Sequence, residues 1–185
     1  MKLDLGCGPN KKEGFVGCDQ YAMPGVDHVF NIGCGRWPFE DGSVTEAYAA
    51  HFVEHLDVGE RCHFVNELYR VLEDGGKCTI IVPCWSSGRA YGDPTHKWPP
   101  VSQMWFFYLL RDWRLGNPDA KPPIGANAPH TDKKWLEWGF DCNFDATFAS
   151  GMHPMLHTRN AEFQQLAIQF CIEATQDIHA TLVKR

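Results

Sequence analysis

Five short apolar runs between Lys2 and Pro83, each broken by glycine, proline or acidic residues, constrain this chain more than any other feature. They are Lys2 to Leu5, Phe15 to Asp19, Asp27 to Ile32, Thr45 to His51 and Lys77 to Pro83. Runs of this length bounded by turn residues read as strands. The fifth contains CTIIVP, which is apolar on both faces, as expected of a central parallel strand covered by helices. Ahead of it, Val58 to Leu72 sets Phe64, Val65, Leu68, Val71 and Leu72 at helical spacing, and EDGG supplies a glycine stop. Strand, helix and strand in succession predict a largely parallel α/β sheet.

The spacing is tight at the start. Only PNKKEG separates the first strand from the second, where a parallel crossover ordinarily needs a dozen or more residues. The interval from Asp19 to Asp27 is equally short. The first helices are therefore expected to be shortened or missing, with one face thinly covered in the first half of the sheet.

A length of 185 residues fits a single domain. Within it, residues 1–85 read as a cofactor-binding half, 86–139 as an insertion and 140–185 as closing edge strands. The insertion holds seven of the twelve prolines and five of the seven tryptophans, with SQMWFFYLLRDW as a helix in its middle. A long irregular segment in a small domain usually has a functional reason, and this one is read as the lid and substrate region. FDCNFDATF and EFQQLAIQFCIEA then read as an antiparallel edge pair. The second is taken as a strand rather than a helix, because Ala167, Gln169, Cys171 and Glu173 would share one face and the more apolar residues the other.

A net charge of −6 argues against broad attraction to nucleic acid. No apolar run approaches the roughly 20 residues that span a bilayer, and no signal-like segment opens the chain, so a cytoplasmic protein is expected. The eight cysteines include no C-x-x-C pair and read as reduced structural thiols. His51 with His55 and His153 with His157 are four apart, but neither pair stands in H-E-x-x-H register. No metal is expected.

The chemistry concentrates at LDLGCGPN. Gly6 and Gly8, at the carboxyl end of the first strand, let the backbone approach a ligand closely at a sheet switch point. Asp4 is placed to hold that loop or, through water, a ligand ammonium group. Asp19 ends the second strand, where an acid accepts two hydrogen bonds from vicinal ribose hydroxyls; its structural alternative is a strand-end turn aspartate. A dinucleotide site fits poorly. The third glycine of G-x-G-x-x-G would fall at Lys11, Asp19 comes too early, and no full helix follows to receive a pyrophosphate.

LDLGCG, GCDQ, PFEDGSV, HFVEHL and RVLEDGGKCTIIVP occur in this order, and together they resemble the class I S-adenosylmethionine-dependent methyltransferases, particularly the small type 11 group. The resemblance covers residues 3–83. It implies a Rossmann-like α/β sheet, mostly parallel with an antiparallel C-terminal strand, and S-adenosyl-L-methionine as cofactor. It also implies methyl transfer to a small-molecule acceptor. The cofactor edge implied is Asp4, Gly6, Cys7, Gly8, Asp19 and Gln20. Asn31 and Ile32 fall at the adenine, although related enzymes often carry an acid there, and His51 and Phe52 fall beside the methionine moiety.

On the acceptor side, Glu54 and His55 open the next helix, where either could instead be structural. YGDPTHKW presents Asp93, His96 and Lys97 on a proline-stiffened loop. His96 is the candidate base and Asp93 its orienting partner, the alternative being a histidine that caps its own turn. Tyr91, Trp98, Trp105 and Phe106 are candidate acceptor-pocket residues, with core packing as the competing explanation. Fold analogy leaves a second functional class open: a catalytically silent module that binds S-adenosylmethionine or a related nucleoside.

Overall fold

The structure is a computed structural model in which residues 1–115 and 139–185 are described. The central part of the expected lid, 116–138, lies outside the described residues. The strands are β1 (Lys2–Leu5), β2 (Val16–Asp19), β3 (His28–Val29), β4 (Val44–Ala50), β5 (Leu72–Pro83), β6 (Phe144–Met152) and β7 (Thr175–Lys184). They form one seven-stranded sheet in the order β3-β2-β1-β4-β5-β7-β6. β1 to β5 pair in parallel, and β7 runs antiparallel to both β5 and β6.

Helix α1 (Val58–Val71) enters through a capping box, in which Asp57 accepts from the Glu60 amide and Glu60 accepts from the Asp57 amide. These bonds satisfy amides that a helix start leaves unpaired. The helix buries Phe64, Val65, Leu68 and Val71. The same cluster includes Leu3, Leu5, Ala47, Ala49, Ile80, Val82, Ile178 and Leu182. Apolar burial on this face is the main stabilising contribution. α1 stops at Val71, and EDGG lies inside β5, where the register against β4 shifts between Val44 and Glu46 and Gly75 takes φ +77°, rather than forming a helix cap.

The other face differs from expectation. Ile81 and Thr79 on β5 are half-buried, so CTIIVP is covered fully on one face only. No helix stands between β1 and β2 or between β2 and β3 among the described residues. Loops do that work. Lys11 Nζ and the Gly17 amide both bind Asp27 Oδ2 at 2.7 Å, drawing the two loops together. Gly17 has to be a glycine here, since a Cβ would meet the Gly25 carbonyl at 2.5 Å. Lys12 Nζ lies 3.9 Å from the centroid of the Tyr48 ring, closing the gap over β4.

Three expected elements are corrected. The run Asp27 to Ile32 contributes only a two-residue β3, because Ile32 turns into the core, where its carbonyl accepts from Trp37 Nε1 at 3.0 Å. SQMWFFYLLRDW is two short helices, α3 (Gln103–Phe107) and α4 (Arg111–Arg114). The break falls where Leu109 is fully buried and its carbonyl accepts from the Phe144 amide. EFQQLAIQFCIEA is mostly helix α5 (Ala161–Phe170), started by Asn160 accepting from the Phe163 amide. The strand beside β5 comes instead from Thr175–Lys184, whose alternate residues Ile178, Ala180 and Leu182 are buried. α2 (Arg89–Gly92) is a single turn following β5. Among the described residues no helix is long and apolar enough to cross a membrane.

Candidate functional site

The strand order reverses at β1, with β2 on one side and β4 on the other, so the carboxyl ends of these strands flank a switch point. Gly6 leaves β1 at φ +71° and Gly8 follows at +52°, conformations that side chains rarely adopt. The Gly6 and Cys7 amides both reach the Cys18 carbonyl on β2, at 2.8 and 3.2 Å. A Cβ on Gly6 would overlap the Phe52 ring, whereas one on Gly8 would meet open space. The first glycine is therefore required by packing, and the second leaves backbone uncovered.

Asp19 sits at the end of β2, half-buried, with Oδ2 accepting from the Gly8 amide and Oδ1 from the Tyr21 amide, each at 3.0 Å. It thus ties the glycine loop to the neighbouring strand while each oxygen keeps a lone pair. Asp4 is buried and accepts from the Lys12 amide at 2.7 Å, which realises the loop-holding reading. Burial raises its carboxyl above the usual range, against the opposing pull of the Lys12 amide and the Lys12 and Lys11 charges. Burial also pushes the Cys7 thiol up to about 11. All eight cysteines are free thiols. Gln20 is exposed at the same edge.

Two residues expected at the adenine have other partners within the chain. Asn31 Oδ1 accepts from the Gly33 amide at 2.9 Å, so its carbonyl is spent on its own turn. Ile32 is a core residue.

His51 leaves β4 with φ +52°, and its imidazole Nδ1 stands 3.4 Å from Glu54 Oε1. That carboxylate raises the His51 imidazole above the ordinary histidine range, with burial working the other way. Glu54 and His55 belong to a separate 3₁₀ turn, Val53–His55, and not to the first turn of α1, because Asp57 supplies the cap. Glu54 is only 4% exposed. Among the described residues neither of its oxygens has a hydrogen-bond partner.

His96 packs edge to face on His55, with ring centroids 4.8 Å apart. Its Nδ1 pairs with the Ala90 carbonyl at 3.2 Å, while Asp93 Oδ2 stays 4.0 Å from Nε2. Asp93 thus pairs with His96 without a hydrogen bond between them. It accepts from the Thr95 amide and hydroxyl, which hold its carboxyl below the usual range. The loop is lashed down by the Lys97 amide on the Glu54 carbonyl at 2.8 Å. Buried Arg61, whose contribution was not visible in the motifs, adds to this. It donates to the Val53, Pro99 and Lys97 carbonyls.

The aromatic residues divide. Trp105 lines a cavity of about 390 Å³ with Val58, Cys62, Pro99, Tyr108 and Phe140. Phe106 is fully buried and belongs to the core, packed against Phe148. Tyr91 and Trp98 are exposed.

No protein-family model and no curated protein matches the chain. Solved structures do. A SAM-dependent methyltransferase from Archaeoglobus fulgidus superposes with a TM-score of 0.60 at 18% identity, over 100% of this chain and 85% of that one. One from Methanosarcina mazei gives 0.50 at 18% identity, over 99% and 91%. A methyltransferase of Thermotoga maritima, described as a possible histamine N-methyltransferase, gives 0.53 at 14% identity, over 100% and 81%. In sheet order, in its one antiparallel strand and in its glycine-ended first strand, the chain has the fold of the class I S-adenosylmethionine-dependent methyltransferases.

Proposed function

We propose that the protein is an S-adenosylmethionine-dependent methyltransferase acting on a small-molecule acceptor. The observation that carries this reading is the bond between the Gly8 amide and Asp19 Oδ2 at the sheet's switch point. It presents open backbone and a hydroxyl-accepting carboxylate side by side, with no helix start to receive a phosphate. The residues fit the group. Asp19 retains lone pairs for a ribose, Gly8 leaves room above the loop, and Phe52 backs the turn at Gly6. Asp4, Cys7 and Gln20 support or border that edge, and His51 follows directly on β4.

When bound, S-adenosylmethionine supplies an electrophilic methyl group that a nucleophile takes by in-line displacement. The chain's part is alignment and, for an acceptor with a proton to lose, its removal. That task falls to the cluster of Glu54, His55 and His96, which the 91–99 loop brings over the end of β4. The apolar cavity beside Trp105 is of a size that suits a small organic molecule. A silent binding module is the second reading. The trimmed helices favour it, while a buried Glu54 that makes no hydrogen bond among the described residues, with two histidines beside it, favours turnover.

The test is release of S-adenosylhomocysteine at saturating S-adenosylmethionine across acceptor classes, amines, phenols, thiols and carboxylates among them. Turnover with at least one class is expected. Cofactor binding without turnover in any class establishes the silent module instead.

A further inference from the structure

We propose that Glu54, His55 and His96 form a binding site for one divalent transition-metal ion, with zinc as the representative ion. One donor atom from each of the three lies within 4.8 Å of the others. Ligand atoms around a tetrahedral zinc are about 3.4 Å apart, so small side-chain rotations close the set.

Among the described residues neither histidine makes a hydrogen bond through Nε2, the Asp93 carboxylate standing 4.0 Å from that of His96. The Ala90 carbonyl is only an acceptor, so His96 Nδ1 carries the proton of their 3.2 Å bond. Thr95 gives its hydroxyl proton to Asp93 Oδ1 at 2.6 Å, so it accepts from His55 Nδ1 at 2.9 Å. Both rings therefore offer an Nε2 lone pair, the arrangement in which outer-shell partners orient metal-ligating imidazoles. Independently, Glu54 buries a carboxylate neither of whose oxygens makes a hydrogen bond among the described residues, His51 Nδ1 standing off at 3.4 Å from Oε1. Nearby Arg61 spends its bonds on the carbonyls of Val53, Lys97 and Pro99. A buried carboxylate that makes no hydrogen bond is costly, and a cation bound directly to it reduces that cost.

Two imidazoles and one carboxylate suit zinc and its neighbours better than magnesium or calcium, which prefer all-oxygen shells. Three protein ligands leave a position open for an acceptor oxygen or nitrogen, whose proton the ion would make easier to lose. That consequence rests on the methyl-transfer reading, but the site itself does not.

The test uses the full chain, stripped with a chelator and titrated with Zn²⁺ by calorimetry and with Co²⁺ by visible absorption. One equivalent should bind, giving cobalt d–d bands without the intense thiolate charge-transfer band. Glu54→Gln and His96→Ala should each weaken zinc binding by about 100-fold or more, and replacing the exposed thiols by Cys34→Ser and Cys171→Ser should not. Glu54→Gln should also raise the melting temperature of the metal-free protein, which guards against misreading an unfolded variant. No binding by the stripped wild type, or binding retained in folded Glu54→Gln, overturns the proposal. S-adenosylmethionine titrated in parallel separates the two readings. Metal binding without cofactor binding sinks the methyltransferase reading alone, and cofactor binding without metal sinks the metal site alone.

Discussion

Asp4 shows how one side chain can hold a loop and still cost stability. Its pKa is raised by burial, so the folded state resists ionisation. Its stabilising contribution is complete below the unfolded carboxyl pKa and is lost as pH rises through the higher folded value. Asp4→Asn keeps an acceptor for the Lys12 amide and removes the charge. It should therefore melt at or above the wild-type temperature at pH 7, with the difference shrinking as pH falls through the carboxylate range. A difference independent of pH would contradict this. Gly6→Ala should destabilise the protein through both its left-handed backbone and the Phe52 ring. Adding Phe52→Ala to Gly6→Ala should recover only the steric share, as thermal unfolding of the double variant would show. The glycines and Asp19 were legible in the sequence because turn chemistry is local. Ile32, Phe106 and the Asn31 turn were not, because what buries or occupies them is settled by residues far along the chain or by a neighbouring amide.

Among the elements, α1 has its start written into it, since Asp57 and Glu60 form the capping box three residues apart. Asp57→Ala should cost about 0.5 to 2 kcal/mol in denaturant unfolding. Because the 3₁₀ turn with Glu54 and His55 lies immediately before it, this variant should also weaken zinc binding more than its stability loss alone would suggest. The five first strands were readable from apolar runs and their breaks. α5 was misread because Leu166, Ile168, Phe170 and Ile172 alternate as in a strand while Asn160 and the glutamines favour a helix start. Those four side chains remain exposed, so burial never arbitrated between the two periods. β7 was missed because TQDIHATLVK is polar on the face that no helix covers, which dilutes its apolar signal.

The molecule is organised as a sheet with one dry face and one half-wet face. The dry face carries the core cluster from Leu3 to Leu182, and there Phe64→Ala should cost about 3 to 5 kcal/mol in denaturant unfolding. The half-wet face carries Glu46, Thr79 and Thr181, side chains that tolerate water, so the chain dispenses with two crossover helices and keeps the order of strands. What survives this trimming is the carboxyl edge, where Asp19 holds the glycine loop. Binding of S-adenosylmethionine at this edge through Asp19 is measured by titration calorimetry on wild type and Asp19→Ala. The wild type should bind one equivalent, and the folded variant should lose about 1.5 to 3 kcal/mol, roughly 10- to 150-fold in affinity. A folded wild type that does not bind S-adenosylmethionine, or an Asp19→Ala variant that binds it as tightly as the wild type, would contradict that binding mode.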